Sequence, residues 1–317
     1  MRFHFIPAIG ILGGLVTGCL QFEGSPGNAV STYDRSLLKR AQKGVVQPVK
    51  DNSSSDPGLT PLDNDVTELD DELAKAMASS SESRLRYKLM LLERGRASLR
   101  RIADYTALMK KQEVVRGELL DEQTISIKCR HHPFSVYLAW EIGDAGREVI
   151  YVEGKNDGKL LAHDGGWKSR LPAFSMSTEG TMAMKDARCP VTTAGLLGLT
   201  DAMIAIHQHD LNRSDFESCE IDANRQFDGR RCAMFTTKYK SAKDSPVYRK
   251  SITLIDHEWN LPVNTRHFEW CAKEKTMSDA ELDRETLIES YSFADIKLKC
   301  NLTDYDFDRT NKQYHFH

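Results

Sequence analysis

The most regular pattern in the chain lies between residues 84 and 111. Leu85, Leu89, Leu92, Leu99, Ile102 and Met109 recur there at spacings of three, four and seven. Those spacings put the side chains on one helical face and predict a helix from Arg84 to Lys111. An acidic helical segment, Asp65 to Met77, precedes it, with a break at Ser79 to Ser83. Arg84, Arg86, Arg94, Arg96, Arg100 and Arg101 make the second helix basic. Such a helix either lies on an anionic membrane surface or packs its apolar stripe on a sheet and leaves its charges in water.

From Glu113 onward the period changes to two, the signature of strands. Ile125 and Ile127 alternate, and so do Phe134, Val136, Leu138 and Trp140. Glu148 to Glu153 and Lys159 to His163 follow, separated by turns at Gly143 to Gly146 and Gly154 to Gly158. One helix interrupts the strands. Thr192 or Thr193 is its expected cap, and Leu196, Leu199, Met203 and Ile206 form its apolar face. Strands resume near Phe216–Ile221, Arg231–Lys240, Val247–Asp256, Val263–Cys271 and Glu285–Leu298, several of them long. The tail from Thr303 to Tyr314 reads as a short capped helix and a final strand fragment. The expected fold is α+β: a long antiparallel, strongly curved sheet, a half-barrel, with an N-terminal helix and one internal helix packed on it.

The N-terminal stretch changes the picture. After Met1-Arg2, residues 3–18 carry no acidic or strongly basic side chain and end in Leu15-Val16-Thr17-Gly18-Cys19. The run has the length of a signal-peptide core and is short for a membrane span. Its end resembles the bacterial lipobox, which implies a diacylglycerol on the Cys19 sulfur and cleavage before Cys19. Acylation of the new amine, palmitate being such a chain, would follow. Each buried methylene contributes about 0.8 kcal/mol, so two or three chains hold a protein firmly. An ordinary secretory signal or an uncleaved anchor is the alternative. Residues 20–65 are rich in Ser, Gly, Pro, Asn and Asp, which bury too little apolar surface to offset their ordering entropy. The expected organisation is a lipoprotein signal peptide at 1–18, a flexible tether at 19–65, a helical lead-in at 66–96 and one β-rich domain at 97–317. The cell envelope is the expected location, on the outer membrane or a periplasm-facing membrane. With Leu20 after the Cys, the outer membrane is favoured by analogy with bacteria that sort on that position.

Charge and chemistry exclude more than they assign. A formal net charge of −3 gives no global attraction to nucleic acid. No phosphate loop, dinucleotide turn, nucleophile elbow, zinc helix or C-x-x-C pair is present, and neither a cofactor nor a metal is expected. With Cys19 lipidated, six cysteines remain. Cys219 and Cys232 flank a turn-rich segment and are a candidate disulfide across a hairpin centred near residues 225 and 226, or else two buried free thiols. Cys129, Cys189, Cys271 and Cys300 are spread too far along the chain for the sequence to assign their pairing. His207 and His209 point to different faces of the internal helix and make a poor metal pair. Near the helix C-terminus a histidine favours the dipole. Asp304, Asp306 and Asp308 lack the Gly and Glu of a calcium loop and fit a capped last turn.

The strand region resembles the bacterial domain of unknown function 1571 family, known mainly from planctomycetes. The resemblance rests on Asp104-Tyr105-Thr106, Lys111-Gln112-Glu113, Pro133-Phe134-Ser135-Val136-Tyr137 and Gly146–Gly154. It continues through Leu161-Ala162-His163, Leu261-Pro262-Val263, Glu289-Ser290-Tyr291, Leu302-Thr303-Asp304 and Asp306-Phe307-Asp308. It spans about residues 97–316 and implies no catalytic residues, because the family carries no established activity. At the level of fold the layout is similar to the half-barrels of the lipoprotein carriers LolA and LolB and of RseB-type sensors, which hold acyl chains between sheet and helices. The analogous cavity here would lie against the 193–209 helix, lined by Phe134, Val136, Leu138, Trp140, Leu196, Leu199 and Met203, unless these simply form the core. Three readings follow: a non-enzymatic envelope lipoprotein that binds a lipid or other apolar ligand, an interaction module for another envelope protein, or a hydrolase without a recognisable motif.

Overall fold

The computed structural model describes residues 66–272 and 276–316. Cys19, the expected leader and the expected tether lie outside them. Two helices lead in: α1 (Val66–Met77) and α2 (Ser81–Leu99). Ser80 caps α2 by accepting a hydrogen bond from the Ser83 amide, so the expected serine break is short. Leu85, Leu92 and Leu99 are fully buried on one face, as their spacing requires. The arginines stay at the surface of the fold in ion pairs, Arg94 with Glu72 at 2.8 Å and Arg96 with Asp201 at 3.4 Å. The stripe packs on the sheet.

The helix ends at Leu99, not Lys111. Residues 104–115 form β1, a strand paired on both sides. Met109 stands seven residues from Ile102, a helical step, but it also alternates with Tyr105 and Ala107, and all three are buried. Strands Gln123–Arg130 and Leu287–Leu298 pair with β1 on either side. A helix here would leave both of those strand edges unpaired inside the sheet, so the two-residue period prevails.

The chain then makes two meanders. Strands β2 (Glu118–Leu119), β3 (Gln123–Arg130), β4 (Ser135–Ile142), β5 (Glu148–Val152), β6 (Lys159–His163) and β7 (Phe174–Ser177) form the first. Helix α3 (Leu196–Arg213) crosses one face of the sheet. Strands β8 (Phe216–Phe227), β9 (Arg230–Tyr239), β10 (Lys250–Asp256) and β11 (Pro262–Phe268) form the second. Helix α4 (Asp279–Glu285) leads into β12 (Leu287–Leu298), which returns to pair with β1. The result is one curved, open antiparallel sheet in the order β7-β6-β5-β4-β3-β1-β12-β11-β10-β9-β8, with β2 on β1 alone. The helices cover one face. On the other, Phe307, Tyr314 and Phe316 of the C-terminal tail pack on Tyr137, Ile150 and Val152. The tail carries a capped turn at Asp304–Phe307 but no final strand. Asp304 and Asp306 bind Arg130 and Lys128 at 2.7 and 2.9 Å, which accounts for the acidic run.

Two further expectations change. The hairpin between β8 and β9 turns at Asp228-Gly229, later than expected. Cys219 therefore lies opposite Thr237, and Cys232 opposite Arg225. Cys219 packs under the helices with Phe235, while Cys232 packs with Ile252 and Leu254 on the other face. The sheet separates the two sulfurs, and both cysteines are free. The N-cap of α3 is Gly195, with neither Thr192 nor Thr193 capping it. The Leu196 amide instead donates to the Tyr105 hydroxyl of β1 at 2.8 Å. Gly195 has φ +92°, and a Cβ there would stand 2.2 Å from that hydroxyl. A residue 90 positions earlier in the chain thus supplies the cap.

Tyr105→Phe leaves a buried amide unsatisfied and is expected to cost about 1–3 kcal/mol in urea unfolding. Gly195→Ala is expected to be destabilising too, through backbone strain and the clash. Unchanged midpoints in both variants would show that the contact does not hold the helix.

Candidate ligand cavity

A cavity of about 190 Å³ lies between the sheet and α3. It exceeds the roughly 150 Å³ apolar cavity that takes up benzene and falls short of the roughly 300–1,000 Å³ usual for small-molecule pockets. Three walls enclose it. The first is apolar and comes from the sheet: Met109, Ile125, Leu138, Trp140, Val149 and Leu160. Gly198, Leu199, Ala202, Met203 and Ile206 of α3 form the second. The third is residues 178–194, a half-exposed strap with little regular structure.

Of the residues expected here, Leu138, Trp140, Leu199 and Met203 line the cavity, whereas Phe134, Val136 and Leu196 do not. The ladder explains the difference. Val136 lies in the row Tyr105–Cys129–Val136–Tyr151. Tyr105 receives the start of α3 there, so Val136 and Leu196 are packed solid, each fully buried. Trp140 lies in the row Phe293–Met109–Ile125–Trp140, where the helix has moved away. Phe134 falls just outside β4 and packs on Tyr151.

The far end of the cavity is polar, a feature not anticipated from the sequence. Glu289 of β12 accepts from Arg188 Nε at 2.9 Å and from the Tyr248 hydroxyl at 3.0 Å. His267 Nδ1 lies 2.9 Å from the same carboxylate. Glu113 of β1 stands directly across the ladder from Glu289. It accepts from the Tyr291 hydroxyl, from Lys111 Nζ at 3.1 Å and from the Arg188 amide at 3.4 Å. Burial alone would raise Glu289, but Arg188, His267 and Tyr248 outweigh it and hold the carboxyl at about 2. Burial, together with Glu113 and Glu289, pushes the Tyr291 phenol well above its usual range.

The polar row continues under the helices. Ser251 pairs across from His267, and Thr253 from Thr265. All three hydroxyls are buried without a hydrogen-bond partner. Above them α2 brings Lys88, fully buried with Nζ unpartnered, and α3 brings His207. Burial lowers Lys88 to about 8, against the attraction of Cys219 and Asp210. It also drives His207 well below its usual range, with Lys88 and His267 adding to the effect. His207 Nδ1 lies 3.2 Å from Asp210, which accepts from the Tyr239 hydroxyl at 2.9 Å. His207 is therefore an interior group, six residues before the end of α3. A signal for these residues did exist: Lys88 falls on the Leu85–Leu92 stripe, and Ser251 and Thr253 fall on inward positions of a buried strand.

Among the described residues no group of three or more His, Cys, Asp or Glu is placed to hold a metal ion, and no helix is long and apolar enough to cross a membrane.

The fold and cavity define an α+β domain built on one open antiparallel sheet with a pocket beneath its crossing helix. Residues 102–316 match the model of the family described as "Protein of unknown function (DUF1571)", and the chain belongs to that family. No curated protein matches it. Among solved structures, it is similar to the Mycobacterium tuberculosis lipoprotein LppX (8% identity, 70% of this chain and 99% of that one, TM-score 0.38). It is also similar to MucB (13% identity, 69% and 61%, TM-score 0.37). A LolA superfamily protein from Nitrosomonas europaea is a third (10% identity, 73% and 98%, TM-score 0.19). At these identities and scores the likeness is remote, and the chemistry of the site is carried by this chain's own residues.

Lys88→Met is expected to raise stability at pH 7 by about 1–3 kcal/mol, because an apolar side chain replaces a buried charge. Between pH 8 and 10.5 the unfolded wild type keeps the Lys88 proton that the folded form releases. Wild-type stability relative to the variant should therefore climb across that window. Urea titrations of both proteins at pH 7, 8, 9 and 10 check this. A constant difference would place the ammonium in contact with water.

Proposed function

We propose that this chain is an envelope lipoprotein that holds a lipid or another apolar ligand between its sheet and helix α3. The observation that carries the reading is the space beneath α3, walled by Leu138, Trp140, Leu160 and Met203. A well-packed core leaves few voids larger than a water molecule. Met203 also has the flexible side chain that suits variable ligand shapes. Nothing in this reading requires catalysis.

Native mass spectrometry of the domain isolated from envelope extract should show a lipid adduct. Met203→Trp should fill the space, weakening uptake of a pyrene-labelled acyl ester while the fold persists. In a solid core the same change overpacks and costs about 1–3 kcal/mol. Clear destabilisation, with no adduct and no uptake by the wild type, would end the ligand reading.

Membrane attachment through Cys19 is the second part of the proposal, supported by the Val16-Thr17-Gly18-Cys19 pattern. Cys19→Ser should release the protein from the membrane fraction and remove the lipid mass. A variant that stays membrane-bound would argue for another anchor.

A docking role for another envelope protein has its own support. Ile142, Trp167, Leu171 and Met182 are 60%, 83%, 53% and 64% exposed. Two of their loops are joined by the Gly166 amide donating to the Ala145 carbonyl. Arg147 ties the first of these to the strap through Asp186 at 3.7 Å. Cross-links from residues 164–171 to a second protein, with the cavity empty, would favour that role over ligand binding.

A further inference from the structure

The charged residues that line the cavity, Lys111, Glu113, Arg147, Asp186 and Glu289, each have an opposite-sign partner, that of Glu289 being Arg188 behind the wall. Lys111 lies 3.1 Å from Glu113, Arg188 lies 2.9 Å from Glu289, and Arg147 lies 3.7 Å from Asp186. In the first two pairs the side chains are at most 13% exposed. Both carboxylates are already filled by this chain's own donors, Tyr291 and Tyr248 among them. A ligand bringing a carboxylate, a phosphate or an ammonium into this end would find no unspent counter-charge among the lining side chains; Lys88, buried under the helices, is not one of them. Such a ligand would be desolvated without compensation, at a cost of several kcal/mol.

The wall is nonetheless polar. Beside its lining residues stand the buried hydroxyls of Ser251, Thr253 and Thr265, next to His267 and Tyr291 across the ladder. Buried hydroxyls without partners destabilise a core by about 1–3 kcal/mol each. Valine would fill the threonine positions with similar volume and no such cost. The lining runs from His267 on β11 to Met176 on β7, with Glu113, Glu289, His267 and Tyr291 at one end and Leu138, Val149 and Leu160 toward the other, where Arg147 stacks on Trp140 and pairs with Asp186.

We propose that the cavity selects an uncharged amphiphile: a short acyl or alkyl chain lying toward β5 and β6, with a neutral, hydroxyl-bearing head group set against Glu113, Glu289, His267 and Tyr291. This rests on the ligand reading above and names its substrate class. A short-chain monoacylglycerol or alcohol fits, whereas a free fatty acid, a lysophospholipid or an alkylamine does not.

The test compares four probes of one short chain length at pH 7.5 by isothermal titration: monoacylglycerol, fatty acid, lysophosphatidylcholine and alkylamine. Monoacylglycerol should bind at least tenfold more tightly than each of the others. Glu289→Gln removes one negative charge beside Arg188 and makes the end more positive. It should bring fatty-acid affinity to or above that of monoacylglycerol. Glu113→Gln, which frees Lys111, is the second variant should the first not fold, as judged by circular dichroism. Should neither fold, the wild-type ranking decides alone. A wild type that binds fatty acid or alkylamine as well as monoacylglycerol overturns the head-group assignment and leaves the cavity reading standing. Unchanged preference in a folded charge variant does the same. A wild type that binds none of the four overturns the ligand reading itself, and this proposal with it.

Discussion

The pairing of the first long strand with the last joins two meanders that otherwise share no strand. It runs from Tyr105 opposite Leu298 to Glu113 opposite Glu289. At its far end it sets two carboxylates side by side on a buried face. Like charges directly opposite one another are destabilising, and both are buried here. They are held by Lys111 from the same strand and by Arg188 from the strap, which reaches Glu289 with its guanidinium and Glu113 with its amide. The ladder that closes the sheet therefore also pins residues 178–194 across the cavity.

At the other end of the same strand, Tyr105 receives the N-terminus of α3. The helix thus starts against the sheet, over a row of packed side chains, and leaves space further along. The cavity follows from this geometry. One end of the helix is tied by a hydrogen bond and a glycine too close for any Cβ, while further along its buried His207 lies with Lys88 of α2 over the polar row. Interiors are normally filled to crystal-like density. A crossing helix held away from a curved sheet by buried polar groups is one arrangement in which a void persists.

The polar row is costly for a core. Lys88, His207, Ser251, Thr253 and Thr265 are all buried, each with a polar atom lacking a hydrogen-bond partner. Local rules are broken most often where function demands it, and the row adjoins the part of the cavity where charged side chains are matched pair by pair. The apolar and polar ends are joined by β1, whose inward residues pass from Ala107 and Met109 to Lys111 and Glu113 within seven positions, and by β12 beside it, from Phe293 to Tyr291 and Glu289.

The sequence by itself determined the periods: the Leu85–Leu92–Leu99 stripe, the alternating strands from Glu113 onward and the apolar face of the internal helix. These are local consequences of 3.6- and two-residue repeats, and they suffice for the α+β class; the family resemblance rests instead on the particular motifs, from Asp104-Tyr105-Thr106 to Asp306-Phe307-Asp308. Tertiary structure decided three things that no local period encodes. It turned residues 104–115 from an apparent helix into a central strand, because the pairing partners in β3 and β12 lie 12 or more residues away. It set the β8–β9 register, and with it the faces of Cys219 and Cys232, because the turn formed at Asp228-Gly229. And it divided the expected lining, sending Leu138, Trp140, Leu199 and Met203 to the cavity and Val136 and Leu196 to the solid core. Alternation tells which face of a sheet a side chain takes. How far along that face a helix stays in contact depends on where the helix is tied, and that contact comes from Tyr105.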